Sequence, residues 1–267
     1  MTIGNNRVLG TAGVSESIGF LLIFTMVIVG IGLVTLYGYP MLLKQQVGAD
    51  EQIMEKNMIV LQNDVKSLAY KTVPYKETSL KVGGGSLSVH NLSESASSSS
   101  FKVYDDAGTI APASNPLLFH TGDLRYESVN AESMISLENG AVVKRDLVQP
   151  GSVMLAEPRW FVDSTTNTAV IYLIGFNSTT AMARSGVGTV QMALGDTTYP
   201  PPVSISPGDN VYIHYEPDSN ADYSTAWNNY FENSLKLSRG GSSNDYILLT
   251  GQGQVVIKKY EVIVKSL

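Results

Sequence analysis

Cysteine is absent from this 267-residue chain. That excludes a small domain held by disulfides, thiol catalysis and cysteine metal sites. Basic charge is scarce: 18 Lys and Arg stand against 24 Asp and Glu, a net charge of −6. No basic stripe is present, so nucleic acid is not an expected partner. Only three histidines occur, His90, His120 and His214. None has a partner at metal-ligand spacing, and no H-E-x-x-H, P-loop or G-x-S-x-G string is found. "VGGGS" at residues 82–86 is a glycine turn among strands and opens no helix, so it does not cradle phosphate. No metal, cofactor or catalytic constellation is expected.

Charge is also absent between Glu16 and Lys44. As a helix, this run would be about 40 Å long, against a hydrocarbon core of about 30 Å. It is too long for the apolar core of a secretory signal, and "GYPMLLKQQ" is no cleavage site for one. A buried soluble helix is rarely apolar on every side. The run is therefore expected to cross a membrane over about 18–43. Arg7 before it and Lys44 after it give little orientation bias. The polar bulk that follows, not enriched in Lys and Arg, places the N-terminus in the cytoplasm. Gly38 and Pro40 predict a kink near the outer end of the helix.

Helical periodicity resumes over about 48–70. Met54, Met58, Leu61, Val65 and Leu68 form one apolar stripe, with Asp50, Glu51, Lys56, Asn63 and Lys66 opposite. Such a stripe either packs on the protein's own domain or forms a stalk against neighbouring copies. Pro74 ends it, and a domain boundary is expected at Lys76. From there the pattern is β. "TSLKVGGGSLSVH" reads as two strands around a glycine turn. Asn139-Gly140 marks a hairpin. "TAVIYLIGF" reads as a buried strand, and "DYILLTGQGQVVIKKYEVIVKSL" as a closing hairpin. The strand spacing predicts a mainly antiparallel β-sandwich. One short amphipathic helix interrupts it, with Tyr223, Ala226, Trp227, Tyr230, Phe231 and Leu235 on one face. That stripe reads as a cap on the core, with a sugar-binding aromatic platform as the rival. "DSNADY" at 218–223 starts like a calcium loop, but Tyr223 replaces the required glycine and Asn229 the bidentate Glu, so a polar loop is expected. The fold class is thus α+β. Asn91 and Asn177 head N-x-S/T sequons, no more frequent than composition alone would give, and are N-glycosylation acceptors only if the domain lies outside the cell.

"GVSESIGFLLIFTMVIVGI" (residues 13–31) resembles the class III signal and first helix of archaeal type IV pilin-like proteins. The "SESIG" string and the aromatic helix "YSTAWNNYFENSLKL" are similar to a group of these surface proteins with β-rich ectodomains. The likeness is good over about 10–46 and thin beyond. It implies a leader over 1–13, a cut by a prepilin peptidase after Gly13, and Val14 as the mature N-terminus. It also implies that the apolar helix first anchors the subunit and then either bundles with identical or related subunits in a filament or keeps it in the membrane as a minor, membrane-held pilin. Glu16, early in the mature helix, would pair with the free amine of a neighbour. The family usually carries Lys or Arg followed by Gly or Ala before the cut, whereas Ala12 precedes Gly13 here. A cut after Gly10 or Ala12, or no cut, stays open. The family glutamate usually lies at mature position five; this cut puts Glu16 at three. The rival from another class is a single-pass, membrane-anchored module that recognises a surface glycan or protein.

Overall fold

The structure, a computed structural model, describes residues 12–93, 98–110, 115–130 and 132–267, with the backbone alone over 12–16. The expected leader lies almost wholly outside the described residues, as do the side chains of Val14 and Glu16. Contacts divide the chain into two units, through Ala49 and from Asp50 to Leu267.

The first unit is helical. α1 spans Ala12–Leu33, a π turn spans Val34–Gly38, and α2 spans Tyr39–Lys71, continuing into the second unit. The disturbance expected at Gly38 and Pro40 is this π turn. A proline lacks the N–H for the next helical bond, and its ring collides with the carbonyl four residues back. The turn widens just ahead of it: the Tyr39 N–H donates to the Val34 carbonyl, five residues back. The helix resumes without stopping at Pro40. The hydroxyls of Thr25 and Thr35 donate to the carbonyls of Leu21 (2.7 Å) and Ile31 (2.9 Å). These two hydroxyls are thus satisfied inside the helix.

Among its described residues the second unit contains fifteen strands: β1 (Tyr75–His90), β2 (Ser100–Asp105), β3 (Leu117–His120), β4 (Asp123–Ser128), β5 (Ser133–Glu138), β6 (Ala141–Asp146), β7 (Ser152–Ala156), β8 (Phe161–Asp163), β9 (Thr168–Ser178), β10 (Ala183–Thr198), β11 (Val203–Ile205), β12 (Asn210–Glu216), β13 (Ser238–Arg239), β14 (Asp245–Thr250) and β15 (Gly253–Ser266). A ten-stranded sheet runs β7-β6-β5-β4-β1-β10-β15-β9-β8, with β11 on β15. A five-stranded sheet runs β13-β14-β12-β2-β3. Pairing is antiparallel except between β9 and β15, which run parallel. Between β12 and β13 lies α3 (Ser224–Asn229), extended by a π turn over Tyr230–Ser234.

Side-chain alternation gives the large sheet two apolar faces. On β6, Val142 joins one core while Ala141 and Val143 join the other. The first core holds Met54, Met58, Leu61, Val65 and Leu68 of α2 against β1, β4, β5, β10 and the C-terminal half of β15. The second holds β2, β12 and β14 of the small sheet together with Trp227 and Phe231. The β-sandwich is therefore a three-layer unit, with helix, large sheet and small sheet stacked in that order.

Four expectations change. The α2 stripe is fully buried on the chain's own large sheet, so it is no stalk surface for neighbouring copies, and the boundary moves from Lys76 to Asp50. The opposite-face acids also hold the helix in place: Glu51 and Glu55 pair with Lys144 of β6 at 3.1 and 2.7 Å. Gln62, buried in α2, donates to the Gly140 carbonyl at 2.7 Å. "TSLKVGGGSLSVH" belongs to one strand, β1, whose register shifts between Val82 and Leu87. The glycines there pass close to other groups: a Cβ on Gly85 would lie 2.1 Å from the Glu127 carbonyl oxygen, and one on Gly83 would lie 2.6 Å from Asp50 Oδ1. The closing hairpin is a crossover, since β14 lies in the small sheet and β15 in the large one. The Asn139-Gly140 hairpin stands, joining β5 and β6 with φ of +47° and +74°, as a type I′ turn requires.

Candidate functional site

The apolar helix is the most unusual surface of the chain. From Ser17 onward it presents Phe20, Leu21, Leu22, Ile23, Met26 and Val27 to the outside, with Phe20 71% and Met26 80% exposed. None of its most apolar stretch is buried. Soluble proteins rarely leave a contiguous apolar patch above a few hundred Å² uncovered. By length and composition this helix is able to cross a membrane. Gly19, Gly30 and Gly32 lie on it, and a Cβ at any of them would meet nothing within 4 Å. The chain's own packing does not require them, although each glycine costs the helix about 1 kcal/mol relative to alanine. Gly13, Val14 and Glu16 fall in the first turns of α1; the structure carries no statement about their side chains.

Inside the β unit sits a second arrangement. On β4, Leu124 and Tyr126 face α2, so Asp123 and Arg125 face the small sheet. The Arg125 guanidinium donates to Asp123 (Nε–Oδ2 2.9 Å) and to Asp218 (Nη2–Oδ2 2.7 Å). All three side chains are nearly fully buried. Ser136 of β5 donates to Asp123 as well. Glu138, two residues further along β5, is buried and accepts a 2.9 Å bond from Trp227 Nε1. Burial raises the Glu138 pKa to about 7, with the Asp123 charge adding to the rise. Burial also drives the phenols of Tyr215 and Tyr223 upward, reinforced by Glu138 and Asp123 respectively, which keeps both protonated. Burial is the largest single influence on Arg125 and opposes its charge, yet the Asp123 charge, Tyr223 and the hydrogen bonds to Asp123 and Asp218 together more than offset it. The network ties β4, β5, the 218–223 loop and α3 together across the sandwich.

This network accounts for the "DSNADY" loop. Asp218 is committed to Arg125, and its other oxygen accepts the Asn220 N–H at 2.9 Å. Asp222 accepts the Ser224 N–H at 2.8 Å. No group of three or more His, Cys, Asp or Glu suited to a metal ion occurs among the described residues. His214 bridges Asp245 (2.6 Å) and Glu216 (3.0 Å) on the small sheet. The aromatic stripe of α3 caps the core, with Trp227 4.7 Å from Phe101 between ring centroids. It is not exposed for use as a sugar platform. The two sequons meet: Asn91 Oδ1 accepts bonds from the Ser178 N–H (2.7 Å) and hydroxyl (2.9 Å). The Asn177 amide donates to Glu261 at 2.9 Å.

Sequence patterning missed the buried ion network. Its residues alternate with apolar ones on β4 and β5, which reads as an ordinary strand with a wet face. The only hint was that both strands carry charge on that face within a hairpin-rich region.

A search of curated proteins and a search of solved structures each found no match. One family model spans the apolar helix and the β unit together, and on that match, over residues 13–264, the chain belongs to a family of unknown function (DUF7289).

Proposed function

We propose that the chain is a non-enzymatic, pilin-like surface subunit, held in the membrane by its N-terminal helix and displaying the β unit outside the cell. The uncovered apolar helix carries this reading. A segment apolar all round needs lipid or like helices as its surroundings. Glycines with no packing role inside the chain suit close approach by neighbouring helices. A prepilin peptidase would cut after Gly13, and identical or related subunits would supply the helix bundle. A structural subunit requires neither cofactor nor nucleic acid. The test is cell fractionation with surface proteolysis. Alkaline carbonate should leave the protein in the membrane pellet, and protease added to intact cells should remove the β unit. Release by carbonate, or full protection of the β unit in intact cells, would overturn the reading.

A further inference from the structure

A pocket of about 570 Å³ opens between α2 and the β7–β8 connection. Its walls carry three cations, Lys66, Lys71 and Arg159, and no carboxylate. This is unusual in a chain of net charge −6. The ion pairs of the described residues involve none of the three. The nearest acid in sequence, Glu157, accepts instead from the Ser234 hydroxyl at 2.5 Å and offers Lys66 only its backbone carbonyl, at 3.4 Å. Three like charges thus share one cleft without a counterion. Burial and the Arg159 charge together hold the Lys66 pKa below its ordinary value.

The cleft is built rather than accidental. Arg159 is exposed but stands between two buried residues, Pro158 and Trp160. Trp160 is fixed by a 2.8 Å bond from Nε1 to the Tyr172 carbonyl and by stacking on Phe231. The guanidinium rests over the Tyr70 ring, 5.2 Å from its centroid. Lys66 lies four residues before Tyr70 on α2, on the same helix face. Both cations are therefore carried by well-packed backbone, which lowers the ordering cost of binding.

We infer that this pocket binds a carboxylated sugar. The planar Arg159 fork suits a carboxylate and Lys66 adds a second donor. The Asn63 amide and Ser67 hydroxyl on the same wall supply neutral partners for hydroxyl groups. Tyr70 and Trp160 on the same wall supply apolar surface beside the cations. The volume far exceeds the roughly 30 Å³ of a water or a bare small anion and falls in the range of small-ligand sites.

Trp160 is one of only two tryptophans, and the other, Trp227, is fully buried. Trp160, itself buried, lines the pocket, so a ligand seated there changes the intrinsic fluorescence of the full chain in neutral detergent, and substitutions at Arg159 and Lys66 assign the change to this site. Glucuronate should shift the emission saturably. Glucose, lacking the carboxylate, should not, and inorganic phosphate should bind at least about tenfold more weakly. Arg159→Gln and Lys66→Gln, with unchanged far-ultraviolet circular dichroism, should each weaken glucuronate about tenfold. On the unaltered chain, raising salt from 50 to 500 mM should weaken it by a similar factor. Glucose binding as well as glucuronate, phosphate equal to glucuronate, salt-insensitive binding, or no saturable shift would each overturn the assignment.

Discussion

Replacing Arg125 with methionine keeps most of the side-chain volume and removes the only cation of the buried network. Asp123 and Asp218 would then be left without their counterion inside the sandwich, since each has a side chain no more than 4% exposed. Breaking a buried pair by removing one partner costs about 3–5 kcal/mol, because the remaining charge stays desolvated. A unit of about 220 residues loses roughly 2–4 °C of melting temperature per kcal/mol. The melt should therefore fall by about 6–20 °C at pH 7. Converting Asp123 and Asp218 to leucine in the same variant should recover much of the loss, since an apolar substitute avoids the desolvation cost. The assay is thermal circular dichroism of the full chain in detergent at pH 7. A shift below about 3 °C, or no recovery when Asp123 and Asp218 are made leucine as well, would refute the assignment of this network as a buried ion-paired clamp.

Other outcomes follow from the same structure. Glu138 has a folded pKa of about 7 against an ordinary 4.5, so its stabilising contribution is complete below about 4.5 and is lost as the pH rises through 7. Glu138→Gln should keep the Trp227 bond, flatten the stability–pH curve over that window and raise stability at pH 8, as read by urea denaturation. A fragment starting at Lys76 should aggregate, whereas one starting at Asp50 should be monomeric and unfold cooperatively, because the stripe from Met54 to Leu68 is core. Size-exclusion chromatography with circular dichroism separates the two results. Glu16→Gln should be processed and reach the membrane normally, yet be depleted at least several-fold from sheared surface filaments; equal incorporation leaves the glutamate only a local role at the helix start, of about 0.3–1 kcal/mol.

The apolar helix, the Asn139-Gly140 turn and the aromatic face of α3 were legible in the sequence because each is local: length, a turn dipeptide, a 3.6-residue period. What was not legible depends on partners far along the chain. The stripe on α2 looks the same whether it meets β5 or a second copy. "VGGGS" looks like a turn until Asp50 and the Glu127 carbonyl are seen crowding Gly83 and Gly85. β14 and β15 look like a hairpin because nothing in the segment between them says that the chain changes sheet. Asp123 and Arg125 alternate with Leu124 and Tyr126 as a solvent-facing pair would, and only the small sheet, whose β2 and β12 come from distant segments, makes that face an interior. The cationic pocket joins residues about ninety positions apart, Lys66 and Arg159, and no local pattern marks it.

Peptide mass spectrometry of filaments sheared from intact cells tests the role of the first helix most directly. A membrane-anchored subunit that is processed and assembled through its first helix should appear in that fraction with an N-terminal peptide beginning at Val14. A chain found only in the cytosol, or found on the surface with Met1 or Thr2 still at its N-terminus, would contradict that role, and one found processed but only in membranes would be a minor, membrane-held subunit.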